Sequence, residues 1–254
     1  MLDPVILVTG FEPFGSHAVN PSADLAKAVA GRRVGACRVE SAVLPVHHVE
    51  SAAGARTLLA DLTPVAVLHL GLAPRRARVA LERVAVNVMA YRIPDNAGFR
   101  ADGQPCVPGG PAAYFATLPL PDILAALTAE GIPAYVSDTA GTYLCNQTLY
   151  ATLYEIERRG VATRAGFLHV PLLPAMVAST GLDQPSLDFP LGLRAVETAL
   201  GVIAASVAPA ARLGERSGPA DGVVQLARDI EGRIARSHLG SASRAGAHRT
   251  AAFP

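Results

Sequence analysis

Short apolar segments alternate with helix-forming segments over residues 5–207, and this alternation limits what the chain can fold into. Strands are indicated where β-branched residues cluster between turn residues, and helices where apolar residues recur every three or four positions. Strands that alternate with helices build a sheet that is covered by helices on both faces. The pattern therefore predicts an α/β fold, a three-layer α/β/α sandwich with a mostly parallel, twisted mixed sheet.

The same patterns predict the individual elements. Strands are expected at residues 5–9, 38–44, 65–70, 81–88, 134–137 and 166–170. Helices are expected at residues 22–30, 49–62, 121–130, 142–159 and 191–207. Ser22 is expected to cap the first helix, because a serine hydroxyl accepts hydrogen bonds from the free N–H groups of a first turn. Ile93 to Gly98 contains a strong turn signal and predicts a hairpin or flap.

The character of the chain changes after residue 208. Residues 1–208 are expected to form one domain, and residues 209–254 a C-terminal extension. Residues 209–219 are rich in Pro, Gly, Ala and Arg, which predicts a linker, and residues 223–239 have the apolar spacing of a possible helix. Residues 232–254 contain four arginines and no acid, which predicts a mobile basic tail.

Composition excludes several classes of protein. Hydrophobic residues make up 50% of the chain, which is ample for a packed core, and the net charge of +1 creates no field that would attract nucleic acid or a membrane surface. No stretch of about 18 uninterrupted apolar residues is found, so no membrane span is expected. Three cysteines without a CxxC pair favour neither a disulfide framework nor a zinc site, and indicate the reducing cytoplasm. We expect no cofactor.

Cys145 lies near the start of the predicted helix at residues 142–159. The N-terminus of a helix carries partial positive charge and free N–H groups, which favour a thiolate and can hold an oxyanion. Cys145 is therefore a candidate nucleophile, although a cysteine beside Tyr143 and Leu144 can also be a small core residue.

Two histidines compete for the role of general base. His169 and His69 each stand in an apolar predicted strand, and active-site groups collect at the carboxyl ends of such strands. Position alone does not choose between them, and either can be a structural residue. Glu82 is a candidate to orient an imidazole, or it pairs with Arg83 on a solvated face.

The loop after the first strand, Gly10 to Gly15, occupies the place of a dinucleotide-binding loop. It lacks the Gly-Lys-Ser/Thr sequence of a phosphate-binding loop, and it contains Phe11 and Phe14. Two aromatic side chains suit an uncharged apolar ligand, or they anchor the loop to the core. His47 and His48 lack a carboxylate or third ligand at metal spacing and are expected at the surface or at a helix start, so no metal site is predicted.

Six sequence blocks together resemble pyroglutamyl peptidase type I, also called pyrrolidone carboxyl peptidase. They are Gly10-Phe-Glu-Pro-Phe-Gly15 with Asn20-Pro-Ser22, Leu81 to Val88, Tyr91 to Asn96, Gly109 to Phe115, Ser137 to Asn146, and Gly166 to Pro171. Their order and spacing agree over about residues 4–207. The family consists of cytosolic cysteine peptidases, commonly homo-oligomers, on an α/β/α sandwich, and they remove the N-terminal pyroglutamyl residue from peptides.

The resemblance assigns roles to residues of this chain. It implies Cys145 as the nucleophile, His169 as the base and Glu82 as the acid that orients the imidazole. Phe11, Phe14, Asn20 and Arg92 are implied in substrate binding. The implied partners are N-terminally pyroglutamylated peptides and further copies of the chain, in a dimer or tetramer.

The chain departs from the family in two places. Many bacterial members read Gly-Gln-Ala-Gly-Gly-Arg where this chain reads Gly71-Leu-Ala-Pro-Arg-Arg76, so the glutamine near the substrate is replaced by Leu72. The extension at residues 209–254 has no counterpart in the family.

Two other functions stay open at this point. A nucleoside- or nucleotide-binding enzyme of phosphorylase type would need anion donors, and Arg75, Arg76 and Arg78 are the candidates. A non-catalytic peptide-binding relative is the other alternative.

Overall fold

The computed structural model describes residues 3–180 and 183–207, and the predicted alternation of strands and helices is present there. The strands are β1 (Val5–Phe11), β2 (Arg33–Val34), β3 (Cys37–Leu44), β4 (Ala66–Leu72), β5 (Val79–Glu82), β6 (Val84–Val86), β7 (Met89–Ala90), β8 (Asp102–Gln104), β9 (Ala113–Phe115), β10 (Ala134–Ser137) and β11 (Arg164–Val170). The helices are α1 (Pro21–Val29), α2 (Glu50–Leu62), α3 (Leu120–Ala129), α4 (Leu144–Arg159), α5 (Pro174–Ala178) and α6 (Phe189–Val207).

Seven of these strands form one mixed sheet in the order β10-β5-β11-β4-β1-β3-β2. The central pairs β11–β4, β4–β1 and β1–β3 are parallel. Strand β5 runs antiparallel to β11, and β10 is parallel to β5. The mostly parallel mixed sheet confirms the predicted fold class.

Two hydrophobic cores lie on opposite faces of this sheet. Successive strand residues point to opposite faces, so Ile6 and Val8 of β1 enter one core and Leu7 enters the other. The first core contains apolar side chains of α1, α3 and α6, and the second contains those of α2 and α4. Each fully buried aliphatic side chain contributes roughly 1.5–3 kcal/mol, and the two cores hold the strand ends in place.

The single strand predicted at residues 81–88 is wrong in its extent. The chain leaves the main sheet at Arg83, whose N–H donates to the Ser137 carbonyl. Residues 84–86 then pair with β9 in a separate two-stranded sheet. The β-branched composition indicates extended backbone over the whole stretch but does not indicate which partner each part chooses. The predicted hairpin is present as β7 and β8, which flank the turn at residues 93–98.

The predicted cap of α1 is also corrected. Asn20 is the cap residue, and its Oδ1 accepts a hydrogen bond from the Ser22 N–H at 3.1 Å. Pro21 occupies the first turn, where its missing N–H costs nothing. The Ser22 hydroxyl instead accepts from the Phe11 N–H at 3.0 Å, so it joins the end of β1 to α1.

Helix α6 is long and apolar enough to cross a membrane by length and composition. Its buried side is packed into the first core through Ala195, Val196, Ala199, Leu200 and Ile203. This is the position of a core helix in an α/β sandwich. The predicted extension at residues 209–254 lies outside the described residues.

Candidate active site

A cavity of about 440 Å³ opens where β1, β4 and β11 end. Phe11 at the end of β1, Leu72 at the end of β4 and His169 near the end of β11 line it. Cys145 in the first turn of α4 lines the same cavity. The carboxyl ends of strands are the usual place for ligands in open α/β sheets, so this cavity is the candidate active site.

His169 and Glu82 meet because of the register between β11 and β5. Glu82 lies opposite Phe167, two residues before His169, so the Glu82 and His169 side chains share one face of the sheet as diagonal neighbours. The Glu82 side chain reaches across, and its Oε1 lies 2.7 Å from His169 Nδ1. The Glu82 side chain has no exposed surface and that of His169 is 5% exposed. This buried hydrogen bond fixes the orientation of the imidazole.

Arg76, in the loop after β4, contacts the same carboxylate. Its Nη1 donates to Glu82 Oε1 at 2.6 Å. The second carboxylate oxygen, Oε2, is buried and has no hydrogen-bond partner among the described residues. The guanidinium of Arg76 and the imidazole of His169 therefore both contact the same carboxylate oxygen, Oε1.

The pKa values of the two acid–base groups move in opposite directions. Burial alone would lower the pKa of His169, but the charge and hydrogen bonding of Cys145 and of Glu82 raise it to about 9. Burial alone would raise the pKa of Glu82, but His169, Ser137 and Arg76 together hold it below its usual value. Both shifts favour an imidazolium beside a carboxylate.

Cys145 differs from the other two cysteines in its surroundings. All three are free thiols, but Cys145 alone of the three lines the cavity. Cys37 is buried in the first core, and burial raises its pKa. Cys106 lies beside the Val86 carbonyl, and burial raises its pKa to about 12. The sequence prediction that Cys145 lies near a helix start agrees with its place in the first turn of α4.

The first turn of α4 offers hydrogen-bond donors to the cavity. Its cap residue Tyr143 is extended and makes no side-chain capping hydrogen bond. The first N–H groups of a helix have no partner within the helix, so they are available to an oxygen of a ligand. Thr142 holds this turn in place, since its backbone and hydroxyl exchange hydrogen bonds of 3.0 and 2.7 Å with Ala90 of β7.

Three residues of the first sequence block, Phe11, Phe14 and Asn20, line the cavity in different ways. Phe11 is 3% exposed and stacks on Phe167 with ring centroids 6.3 Å apart, so it also anchors β1 to the second core. Phe14 is half-buried and lies 5.9 Å from the Tyr143 ring. Asn20 is 2% exposed, and its amide is bonded to the Glu12 carbonyl and to Ser22. Phe14 is thus the freer of the two aromatic rings.

Two other residues that the sequence indicates near the substrate also line the cavity. Arg92 is exposed at its edge, and Leu72 is 4% exposed at its wall. The three clustered arginines do not act together. Arg76 binds Glu82, and the Arg78 guanidinium lies 4.6 Å from the Tyr135 ring centroid. In the described part of the chain these arginines therefore do not converge on one anion, although Arg75 and Arg92 line the cavity beside Arg76.

His69 does not enter the site, although its sequence context matches that of His169. It is fully buried, with Nδ1 2.7 Å from the Thr9 hydroxyl and Nε2 3.0 Å from the Thr152 hydroxyl. Burial lowers its pKa to about 3, so the ring is neutral. His69 joins β1, β4 and α4.

The prediction for the histidine pair holds for His47 and is corrected for His48. His47 Nδ1 accepts hydrogen bonds from the N–H groups of Val49 and Glu50 at the start of α2. A carboxylate does lie beside His48, since Asp95 Oδ2 is 2.8 Å from its Nδ1. One ligand atom from each of His47, His48 and Asp95 lies within 4.8 Å of the others, which is close enough to hold a metal ion. Asp95, however, also accepts from the N–H groups of His48, Ala97 and Phe99, so its burial is explained without one.

Sequence reasoning missed two residues that shape the site. Arg76 was considered only as an anion donor, and its contact with Glu82 requires a turn of the loop after β4. Asn146 donates to the Val86 and Val88 carbonyls and accepts from the Val86 N–H, which ties the start of α4 to β6. An asparagine directly after the candidate nucleophile was the available signal.

Comparison with known proteins agrees with this geometry. The family model described as pyroglutamyl peptidase matches residues 5–206. The pyrrolidone-carboxylate peptidase of Pyrococcus furiosus is 40% identical over 200 residues, covering 78% of this chain and 96% of the relative. That of Deinococcus radiodurans is 46% identical over 188 residues, covering 73% and 86%.

Solved structures give the same result. Crystal structures of pyrrolidone carboxyl peptidase from Pyrococcus furiosus and its Cys-free mutant superimpose with a TM-score of 0.78 at 39% identity. The match covers 80% of this chain and 99% of that chain. This chain belongs to the pyroglutamyl peptidase family.

Proposed function

We propose that this chain is a cysteine exopeptidase that hydrolyses the N-terminal pyroglutamyl residue from peptides through a thioester intermediate. The observation that carries the proposal is the hydrogen bond between His169 Nδ1 and Glu82 Oε1, at the cavity that Cys145 also lines. A nucleophile, a base and an acid that orients the base are the groups that acyl transfer through a cysteine requires.

In the first half of the reaction, the Cys145 thiolate attacks the carbonyl carbon between pyroglutamate and the next residue. A carbon–sulfur bond forms, and the carbonyl oxygen becomes an oxyanion that N–H groups of the first turn of α4 stabilise. The carbon–nitrogen bond then breaks as the His169 imidazolium gives its proton to the leaving amine. A thioester remains on Cys145, and the shortened peptide departs.

In the second half, the neutral imidazole of His169 takes a proton from water, and the hydroxide attacks the thioester. The carbon–sulfur bond breaks, pyroglutamate leaves, and Cys145 returns as thiolate beside the imidazolium. Glu82 keeps the tautomer of His169 in which Nδ1 faces the carboxylate. No metal or cofactor takes part in this scheme.

The composition of the cavity supports the lactam as substrate. Pyroglutamate is a neutral five-membered lactam without the free amine that ordinary aminopeptidases bind. No Asp or Glu belongs to the described residues that line the cavity, and Phe11, Phe14 and Tyr143 supply aromatic surface. An ammonium group would be left there without a counter-ion, and burying an unpaired charge is costly.

The test compares chromogenic amides of pyroglutamate, proline and glutamine. We expect hydrolysis of the pyroglutamyl amide and rejection of the other two, because proline lacks the lactam carbonyl and both bear an amine. A pyroglutamyl aldehyde should label the protein at one site per chain. Failure of both hydrolysis and labelling would favour the non-catalytic peptide-binding relative.

We also propose a cytoplasmic location and a homo-oligomer, either a dimer or a tetramer. Three unpaired thiols support a reducing compartment. Phe115 on β9 is 69% exposed, and an exposed large aromatic side chain supports contact with another copy. Light scattering should give a mass that is two or four times 26.2 kDa, and a monomer would contradict the proposed assembly.

A further inference from the structure

Arg76 shares one carboxylate oxygen with the imidazole of His169. Its Nη1 lies 2.6 Å from Glu82 Oε1, and His169 Nδ1 lies 2.7 Å from the same atom. The Glu82 side chain is completely buried, whereas that of Arg76 is 27% exposed. Arg76 therefore lies between the solvent and the buried pair of Glu82 and His169.

The charges of the site balance only when Arg76 is counted. In the reactive form the Cys145 thiolate and the Glu82 carboxylate are negative, and the His169 imidazolium is positive. These three groups sum to −1 in a buried site, and the Arg76 guanidinium brings the sum to zero. A buried carboxylate without enough positive charge takes up a proton, and a protonated Glu82 would no longer hold the imidazolium.

The other groups around Glu82 do not replace Arg76. The neighbouring strands present the Ser137 hydroxyl from β10 and the neutral Phe167 ring from β11. Arg83, next along the chain, pairs with Asp138 at 3.1 Å. Of the cavity's other two arginines, Arg75 and Arg92, neither makes a hydrogen bond or ion pair to Glu82 in the described structure, and both are exposed. Arg76 is thus the cation that contacts this carboxylate within the described residues.

We propose that Arg76 is a positioning residue of the catalytic centre, which keeps Glu82 ionised and aimed at His169. The inference rests on the proposed function for its kinetic test, since Arg76 acts through Glu82 on the proton transfers of His169. The lowered pKa of Glu82, to which Arg76 contributes, agrees with it.

The first test replaces Arg76 with glutamine in the full-length protein. Hydrogen-bond partners that orient metal-ligating histidines are typically worth about 10- to 100-fold, and we expect Arg76→Gln to lower kcat by a factor of that order and to change KM little. Loss of a positive charge favours the protonated form of every nearby group. The acid limb of the pH profile of kcat, where Glu82 takes up its proton, should therefore move to higher pH, which a merely structural defect would not cause.

Two further variants control this result. Arg78→Gln removes the same charge from the same loop, but Arg78 contacts Tyr135 and not Glu82, so its pH profile should match the wild type. Arg76→Lys keeps the charge and loses the planar fork. The pH profile of Arg76→Lys should match that of the wild type, and its kcat should lie between those of the wild type and Arg76→Gln. Wild-type kcat in Arg76→Lys together with an unmoved profile in Arg76→Gln would overturn the proposal.

A second readout does not depend on the substrate. The rate of Cys145 alkylation by iodoacetamide, followed by mass spectrometry of the modified peptide, reports the thiolate as a function of pH. Arg76→Gln should shift this curve to higher pH relative to Arg78→Gln, and coincident curves would overturn the proposal. Failure of the wild type to cleave pyroglutamyl amides would contradict the proposed function alone, because the alkylation curves would still test Arg76. If Arg76→Gln does not fold, the alkylation curve and kcat of Arg76→Lys decide, and wild-type values of both would count against the role.

Discussion

His169 is the residue whose ionisation determines how activity depends on pH. Its pKa is raised from an ordinary value of 6.5 to about 9, so the imidazolium persists through neutral pH. We expect kcat/KM to fall as the pH rises through about 9, because His169 then loses the proton that the leaving amine needs. The folded state gains from the same shift below pH 6.5, and this gain is lost as the pH rises through about 9.

Glu82→Gln tests whether this loss of activity at alkaline pH, the alkaline limb of the kcat/KM profile, belongs to His169. The substitution removes the negative charge that helps to raise the pKa of His169, while the amide oxygen of glutamine can still accept a hydrogen bond from Nδ1. The alkaline limb of kcat/KM should therefore move to lower pH in the variant. An alkaline limb at the same pH in both proteins would contradict the assignment of that limb to the His169–Glu82 pair.

Phe14 is the residue that should select the lactam ring. Loss of its aromatic contact in Phe14→Ala should lower kcat/KM for a pyroglutamyl amide by tens-fold, on the order of 2 kcal/mol. Val161→Ala is the control, since Val161 is exposed and does not line the cavity. Equal kcat/KM in the two variants would remove Phe14 from the substrate site.

For individual residues, the sequence predicts the position of a side chain on its helix or strand better than it predicts which residues that side chain contacts. The place of Cys145 at a helix start and of His169 near a strand end could be inferred from local patterns. His69 has the same local pattern, and only the threonines that surround it in space identify it as structural. The contact of Arg76 with Glu82 was beyond reach for a related reason, because it depends on how the loop after β4 turns back towards β5.

Among the elements, the junction of β1 with α1 places the aromatic loop, and Gly10 is central to it. A Cβ at residue 10 would lie 2.2 Å from the Ser22 carbonyl oxygen, which belongs to the backbone. Gly10→Ala should therefore destabilise the fold by about 1–3 kcal/mol, measured as the free energy of unfolding in urea, and should also impair turnover.

Gly201 in α6 is the matched control for this substitution. A Cβ there would meet nothing within 4 Å, and alanine is favoured over glycine inside a helix by roughly 0.5–1 kcal/mol. Gly201→Ala should raise the free energy of unfolding. The opposite order of stabilities for the two variants would show that the close approach of β1 to α1 does not constrain the backbone.

Element boundaries show where sequence patterns lose information. The strand at residues 134–137 was predicted as observed, because turn residues bound it on both sides. The stretch at residues 81–88 was predicted as one strand and is divided at Arg83. Its apolar character suits both parts, and the division depends on pairing with β9, which is distant in the chain.

For the whole molecule, the alternation of strands and helices was sufficient to predict the three layers. The strand order was not predictable from it, since β5 and β10 join the edge of the sheet antiparallel to β11. That reversal brings the end of β5, with Glu82, beside β11 and His169. The fold class therefore followed from local patterns, whereas the assembly of the site depends on long-range strand pairing.

The extent of the family match leads to a prediction about the extension. The match ends at residue 206, and every described residue that lines the cavity precedes it. A chain that ends at Glu215 should fold and keep wild-type kcat/KM on a pyroglutamyl amide. A well-folded truncated chain without activity would show that the extension completes the site.

The most direct test of the proposed chemistry is the hydrolysis of a pyroglutamyl amide by three variants, each with one cysteine replaced by alanine. Cys145→Ala should lower kcat by on the order of 10⁴-fold or more, because no thioester can form. Cys37→Ala and Cys106→Ala should retain most of the activity, since neither residue lines the cavity. Wild-type turnover by a folded Cys145→Ala protein would contradict the mechanism.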